Sequence, residues 1–106
     1  MLSIIRVRNY EEAVKVANGV KYGLSCSIFT RDITLANRFQ TECETGLCYI
    51  NAGTTGAEVS TPFGGMKATG NGHREGGPTV VEAFSDLRSI FIDYSGHVQR
   101  AQIDNN

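Results

Sequence analysis

The chain has 106 residues, of which 41% are hydrophobic and 20% charged, and its formal net charge is −1. A chain of this size forms one domain or part of one, and its nearly neutral charge provides no basic field for binding nucleic acid or an anionic membrane surface. No apolar run approaches the roughly 18 residues of a membrane-spanning helix, and the start lacks the layout of a signal peptide, so we expect a cytoplasmic protein.

The first part of the sequence predicts a strand followed by a helix. Residues 2–7 form a short β-branched run that is typical of a strand. Asn9 is a suitable N-cap, and Glu12 follows three residues later, as in a capping box. Apolar residues then recur at helical spacing until Gly19, which we expect to end the helix in a left-handed conformation.

A second strand and helix follow in the same alternation. Residues 25–30 read as a strand, Asp32 is placed to cap a helix, Gly46 stops that helix, and residues 47–51 form a third strand. Strands connected through helices favour a parallel sheet. We therefore predict an α/β fold: a three-layer fragment with a mainly parallel sheet in the order β-α-β-α-β, completed by a long glycine-rich loop, a short helix and a terminal strand.

The most unusual feature is the segment 53–77, which holds eight of the 12 glycines. Loops longer than about 12–15 residues without secondary structure are usually functional or disordered. Glycine also lets backbone amides approach another surface closely. We predict that this segment lies against a substrate, a cofactor or another chain. Its glycines match neither the dinucleotide motif nor the P-loop in spacing, so the sequence predicts no phosphate site there.

The last third of the sequence predicts two further elements. Pro78 suits the first position of a short helix. Residues 89–94 are apolar and read as a terminal strand, whereas the tail from residue 95 onward is polar and lacks periodicity.

The cysteines and histidines predict no catalytic or metal site. Three cysteines in a short chain argue against a disulfide framework, and Cys26 and Cys48 fall in apolar runs that we expect to be buried strands. The spacing of Cys43 and Cys48 does not match common zinc sites. We expect His73 to be a polar loop contact and His97 to be solvated, so no catalytic residue is assigned.

Taken in order, these pieces resemble the C-terminal segment of an aldehyde dehydrogenase. The matching motifs are Glu11-Glu12-Ala13 with Ala17-Asn18, Tyr22-Gly23-Leu24, Ile28-Phe29-Thr30-x-Asp32, Gly46-x-x-x-Ile50-Asn51, Pro62-Phe63-Gly64-Gly65-x-Lys67, and Gly70-x-Gly72 leading to Arg74-Glu75. The resemblance covers about residues 2–94. One departure is His73, an extra residue between Gly72 and Arg74 relative to the family's commoner pattern.

The resemblance implies an enzyme whose reactive groups lie elsewhere. The family oxidises aldehydes with NAD or NADP: a cysteine forms a thiohemiacetal, a hydride passes to the nicotinamide, and a glutamate activates the water that releases the acid. In the family these groups and the dinucleotide domain lie upstream of the region matched here. We therefore expect that this chain binds no cofactor, carries no catalytic residue and is inert alone, whereas the full-length enzyme uses NAD or NADP and an aldehyde substrate.

The resemblance also implies a substrate site in the glycine-rich segment. Pro62 and Phe63 match the place where an aromatic ring lines the aldehyde tunnel. Thr55, Gly56 and Ala57 resemble a loop of members that act on aldehydes with a distal carboxylate, such as aminoadipate semialdehyde. In those members exposed backbone amides grip the carboxylate, a task that needs an open backbone.

The same resemblance divides the chain and implies an assembly. Residues 1–88 correspond to the C-terminal part of the catalytic domain, and residues 89–106 to an oligomerisation strand and tail, so we expect a homo-oligomer. Two other hypotheses remain open. The chain is a truncated, non-catalytic interaction module that associates with itself or other subunits, or it is a free-standing α/β domain that binds anions through the glycine-rich loop.

Overall fold

The computed structural model describes residues 2–97. Within this range lie three helices and four strands. The helices are α1 (Tyr10–Asn18), α2 (Ile33–Glu42) and α3 (Thr79–Ala83), and the strands are β1 (Tyr22–Gly23), β2 (Ser25–Ile28), β3 (Leu47–Ile50) and β4 (Met66–Lys67). Among these described residues, no helix has the length and apolarity needed to cross a membrane.

The strands form two separate two-stranded sheets. Strands β2 and β3 are parallel, with Ser25 beside Leu47 and Ile28 beside Ile50, and α2 connects them. Strand β1 pairs with β4 in antiparallel orientation, with Tyr22 opposite Lys67. The predicted β2-α2-β3 unit is therefore confirmed, whereas the longer parallel β-α-β-α-β sheet is not.

Two predicted strands are absent from the described structure. Residues 2–7 and 89–94 have no regular secondary structure, and nearly all of them are exposed. A strand needs a neighbour to satisfy its backbone hydrogen bonds, and no described segment pairs with either one. The sequence predictions for these two segments are wrong for the structure as described. Most of the predicted polar tail lies outside the described residues.

The helix starts follow the capping predictions. The Asn9 side chain accepts a hydrogen bond from the Glu12 N–H group at 2.9 Å, and the Asp32 carboxylate accepts from two amides of the first turn of α2. The capping box is incomplete, because the Glu12 carboxylate accepts from the Arg8 N–H group at 2.8 Å instead of from Asn9. Gly19 has a φ of −71°, so the predicted left-handed end of α1 is wrong.

The two long helices are joined through Arg38. Its guanidinium lies 4.5 Å from the centre of the Tyr10 ring and forms ion pairs with Glu11 at 3.1 Å and with Glu42 at 3.0 Å. Burial, followed by the nearby Glu42 carboxylate, raises the pKa of the Tyr10 hydroxyl to about 12. These contacts fix α1 against α2 beside the small core.

The core is small and lies under α2. Ala36 and Phe39 are 5% and 4% exposed and are the buried apolar side chains among the described residues. The apolar side chains at the other end of the chain are exposed; they include Phe84, Leu87, Phe91 and Tyr94. This second apolar surface has no cover from the residues that the structure describes.

Candidate substrate-binding loop

The glycine-rich segment begins where β3 ends. Asn51 has a left-handed φ of 55°, which turns the chain away from the sheet. Its side-chain amide forms two hydrogen bonds with the Thr30 backbone. It accepts from the Thr30 N–H group at 2.8 Å and donates to the Thr30 carbonyl at 2.9 Å. The end of β2 and the start of the loop are therefore fastened together.

Several glycines are required by close packing of the chain on itself. A Cβ atom on Gly46 would lie 1.6 Å from the Gly64 carbonyl oxygen, and one on Gly70 would lie 2.2 Å from the Gly65 carbonyl oxygen. Gly46 was predicted to stop α2, but α2 ends at Glu42, so its role is to let the loop approach. These two glycines are therefore accounted for by the close approach of the chain to itself.

Lys67 ties the loop to the helices. Its Nζ atom donates to the Asn18 carbonyl at 2.6 Å and forms an ion pair with Glu44 at 2.9 Å. Nearby, the Thr69 hydroxyl accepts from the Gly23 N–H group at 3.0 Å. The lysine of the Pro-Phe-Gly-Gly-x-Lys motif therefore has a structural role here, which spacing alone did not reveal.

The far side of the loop is held by Arg74 and by a short backbone bridge. The Arg74 Nη1 atom donates to the carbonyls of Gly65 and His73, both at 3.1 Å. Phe63 and Glu75 exchange two backbone hydrogen bonds, of which the one donated by Glu75 measures 2.8 Å. His73 itself is exposed. This arrangement holds the Phe63 backbone in place.

Phe63 is the centre of the candidate site. It lines three adjoining cavities of about 610, 370 and 230 Å³. Gly56 and Ala57 line the smallest with it, and Ala57 also lines the 370 Å³ cavity. Thr55 and Pro62 line none of these three cavities, and both are exposed. Of the five residues predicted for substrate binding, the structure thus brings together Gly56, Ala57 and Phe63.

The backbone at Gly56 and Ala57 is open. Gly56 has a φ of +99°, a conformation that residues other than glycine rarely adopt. Within residues 2–97, the N–H groups of Gly56 and Ala57 donate to no other part of the chain. The Gly56 carbonyl instead accepts from the Tyr49 hydroxyl at 2.8 Å. The sequence reading missed Tyr49, although alternation along β3 already places it on the face opposite Cys48.

The pKa values of two of the three cysteine thiols, Cys26 and Cys48, are raised. Cys26 and Cys43 are half-buried, whereas Cys48 is exposed, so its predicted burial is wrong; β3 is an edge strand of its two-stranded sheet. Desolvation of the thiol, followed by the neighbouring Cys43, raises the pKa of Cys48 to about 12. A catalytic thiol needs the opposite shift. No three His, Cys, Asp or Glu side chains of the described residues are placed to hold a metal ion.

Comparison with known proteins connects this geometry to a family. The profile of the aldehyde dehydrogenase family matches residues 1–90. An α-ketoglutaric semialdehyde dehydrogenase from Bacillus subtilis is 40% identical over 92 residues, which cover 87% of this chain and 19% of the relative.

Solved structures agree with the sequence match. The crystal structure of a salicylaldehyde dehydrogenase from Pseudomonas putida G7, complexed with salicylaldehyde, has a TM-score of 0.82 and 35% identity and covers 93% of this chain and 20% of that one. A glyceraldehyde-3-phosphate dehydrogenase from Methanocaldococcus jannaschii, complexed with NADP, has a TM-score of 0.72 and 36% identity over 78% of this chain and 18% of that one.

The matched proteins share an α/β fold and names that specify the oxidation of an aldehyde, although the aldehydes differ. This chain spans about a fifth of their length. The resemblance drawn from the motifs is confirmed at the level of the family. The match along residues 1–90, together with these relatives, shows that the chain belongs to the aldehyde dehydrogenase family.

Proposed function

We propose that this chain is the C-terminal segment of a full-length, NAD- or NADP-dependent aldehyde dehydrogenase that oxidises a carboxylated semialdehyde to its acid. The segment contributes part of the substrate wall and contacts between subunits of a homo-oligomer, and it is inert alone. The family match supports the reaction, and the one-fifth coverage supports the view that other parts of the enzyme supply the chemistry.

The observation that carries the substrate class is the open backbone at Gly56 and Ala57. Gly56 and Ala57, whose N–H groups donate to no described residue, line one cavity together with Phe63. Successive backbone N–H groups in such a turn form a site for an anion. The name of the B. subtilis relative specifies a semialdehyde with a distal carboxylate, and aminoadipate semialdehyde belongs to the same chemical class.

Different residues of the segment then bind different parts of the substrate. Phe63 supplies apolar wall area for the body of the aldehyde, and the N–H groups of Gly56 and Ala57 orient its carboxylate. Holding the substrate in one direction increases the fraction of bound molecules whose aldehyde carbon faces the reacting groups. Because the reactive groups of the family are expected upstream of this segment, its residues take part in binding and orientation rather than in bond breaking.

The experiment compares two aldehydes of equal length in the full-length enzyme, glutaric semialdehyde and pentanal. Ala57→Pro removes one N–H donor, whereas the matched control Ala57→Ser keeps it. We expect Ala57→Pro to lower kcat/KM for glutaric semialdehyde about tenfold or more, the usual range for hydrogen bonds to a charged group, with less than a twofold change for pentanal. Equal losses of kcat/KM for the two aldehydes would mean that the loop is a general tunnel wall and not a carboxylate site.

A second candidate function is an interaction module. It is favoured by the exposed apolar side chains between Phe84 and Tyr94. Light scattering of the purified chain over a range of concentrations, with a truncation that ends at Arg88, tests this candidate. Concentration-dependent association that the truncation abolishes would support it. A monomer at every concentration, unchanged by truncation, would refute both this candidate and the assignment of residues 89–106 to subunit contacts.

A further inference from the structure

We infer that Tyr49 is a positioning residue for carboxylate recognition, because its hydroxyl group fixes the Gly56–Ala57 peptide and thereby aims the Ala57 N–H group at the substrate. The inference rests on the proposed function, since it concerns how that site is assembled. Tyr49 occupies an unspecified position of the Gly46-x-x-x-Ile50-Asn51 motif, and it acts through the loop rather than on the aldehyde.

The geometry of one peptide unit carries the inference. The Gly56 carbonyl and the Ala57 N–H group belong to the same peptide, and the described peptide bonds include no cis bond. In a planar trans peptide the carbonyl and the N–H group point in opposite directions. The Tyr49 hydroxyl holds the carbonyl at 2.8 Å. The N–H group of Ala57 is therefore directed away from the Tyr49 hydroxyl, and it donates to no described residue.

The contact matters because the loop has little else to hold it there. It is the one hydrogen bond that residues 53–57 make with any other described residue. A Cβ atom added to Gly56 would meet nothing within 4 Å, so space does not dictate the backbone conformation. With φ at +99° and no packing around it, the peptide depends on Tyr49 for its orientation.

Tyr49 is itself held in the parallel sheet. Tyr49 lies in β3 directly beside Ser27 of β2. The Ser27 hydroxyl donates to the Ala52 carbonyl, so two neighbouring side chains of the parallel sheet hold residues 52 and 56 of the same loop. A site built on a strand is held more exactly than one that relies on a loop alone. Tyr49 thus ties the Gly56–Ala57 peptide, which carries the N–H donor for the carboxylate, to the parallel sheet.

The charged side chains around the site do not favour a carboxylate. Glu58 and Glu75 line the 370 Å³ cavity next to Ala57, and both repel a substrate carboxylate. No cationic side chain lines either cavity that Ala57 borders. Binding of the carboxylate then depends on the direction of the N–H groups, which makes their positioning decisive.

The test uses the full-length enzyme, Tyr49→Phe, and the same pair of aldehydes. Tyr49→Phe removes the hydroxyl and keeps the ring, and Tyr22→Phe is the matched control, because Tyr22 is exposed and its hydroxyl bonds to no described residue. We expect Tyr49→Phe to raise KM for glutaric semialdehyde about three- to tenfold, the range for one hydrogen bond, while kcat for both aldehydes and KM for pentanal stay within twofold. Gly56→Ala, which strains the same peptide, is expected to show the same selectivity, and Tyr22→Phe no change.

The other outcomes separate this inference from the proposed function. If Ala57→Pro is selective and Tyr49→Phe changes nothing, the carboxylate site stands and the positioning role is wrong. If Tyr49→Phe is selective and Ala57→Pro is not, the hydroxyl contacts the carboxylate directly, and positioning is again wrong. Parallel losses for both aldehydes in Tyr49→Phe would make the residue a general structural support. If neither variant impairs glutaric semialdehyde more than pentanal, the proposed carboxylate site itself is wrong.

Discussion

The two halves of this chain are built differently. Residues 10–50 contain α1, α2, β2 and β3, the capped helix starts, the Arg38 ion pairs and both buried apolar side chains. Residues 53–94 contain only the five-residue α3 and the two-residue β4, and most of their apolar side chains are exposed. The first half is a scaffold whose helix caps, ion pairs and core contacts are made within residues 10–50. The second half has little regular structure and leaves its apolar side chains exposed.

A few contacts join the halves and decide where the loop lies. Gly46 allows the backbone of Gly64 to approach, Lys67 reaches the ends of the helices, and Tyr49 holds Gly56. Each contact starts from the scaffold or ends on it. Changes at these points, and changes that spare them, therefore test how far the two halves depend on one another.

The largest expected effect concerns activity. We predict that the purified chain forms no NADH or NADPH from a panel of semialdehydes, because the catalytic groups of the family are expected upstream of the matched segment and the pKa values of Cys26 and Cys48 are raised. The control is a variant in which all three cysteines are replaced by serine. Turnover by the chain that disappears in this variant would show that one half carries a nucleophile after all.

The next largest effect concerns the joint at Gly46. We predict that Gly46→Ala destabilises the full-length enzyme by on the order of 3 kcal/mol or more, because the new methyl group would lie 1.6 Å from the Gly64 oxygen. Gly53→Ala is the matched control, since its methyl group would have the Thr55 hydroxyl as its nearest neighbour, at 3.7 Å. Thermal unfolding of both variants measures the difference. Equal melting temperatures would mean that the loop does not rest on the scaffold at this point.

A smaller effect is expected within the loop. We predict that Phe63→Ala in the full-length enzyme raises KM on the order of tenfold and lowers kcat much less, because lost apolar wall area weakens substrate and transition state alike. Steady-state kinetics with pentanal, which lacks a carboxylate, isolates this wall from the N–H groups. A large fall in kcat with an unchanged KM would assign Phe63 a role in the chemical step.

The smallest effect is the response of the scaffold to acid. Hydrogen bonds from Arg38 hold the pKa of Glu42 below its ordinary value, and hydrogen bonds from Arg8 do the same for Glu12. A carboxyl group with a lowered folded-state pKa stabilises the protein above its unfolded pKa and loses that contribution as pH falls through the folded value.

We therefore predict that Arg38→Met makes the stability of the full-length enzyme fall less steeply below about pH 4.3, the ordinary pKa of glutamate. The exposed Lys15→Met is the control. Acid unfolding followed by circular dichroism provides the measurement, and the difference is expected to be small because the pairs are largely exposed. Identical acid profiles for Arg38→Met and the unmodified enzyme would show that the pair contributes nothing.

The two halves also differ in what their sequences predict. Asn9 and Asp32 cap helices through contacts within three residues, so local patterns were enough to place α1, α2 and the parallel strands β2 and β3, whereas the antiparallel pair β1 and β4 was not predicted. Residues 2–7 and 89–94 carry strand composition, but a strand requires a partner that no described segment supplies. Local composition cannot report whether that partner is present.

The site shows the same division. The resemblance pointed to Gly56, Ala57 and Phe63, which the structure places around one cavity. It could not reveal that Lys67 serves as a tether or that Tyr49 fixes the loop, because both contacts depend on how the loop folds back onto the scaffold and follow no helical or strand periodicity. The assignment of these residues to substrate binding stays a prediction.

The most direct test of the central claim is the binding of the reaction products. Glutarate carries a distal carboxylate and pentanoate does not, so their inhibition constants against a common aldehyde in the full-length enzyme measure what the loop contributes. We predict that glutarate inhibits at least about tenfold more strongly than pentanoate, and that Ala57→Pro abolishes this preference whereas Ala57→Ser keeps it. Equal inhibition by the two acids in the unmodified enzyme, or a preference that survives Ala57→Pro, would contradict the claim that this loop recognises a carboxylate.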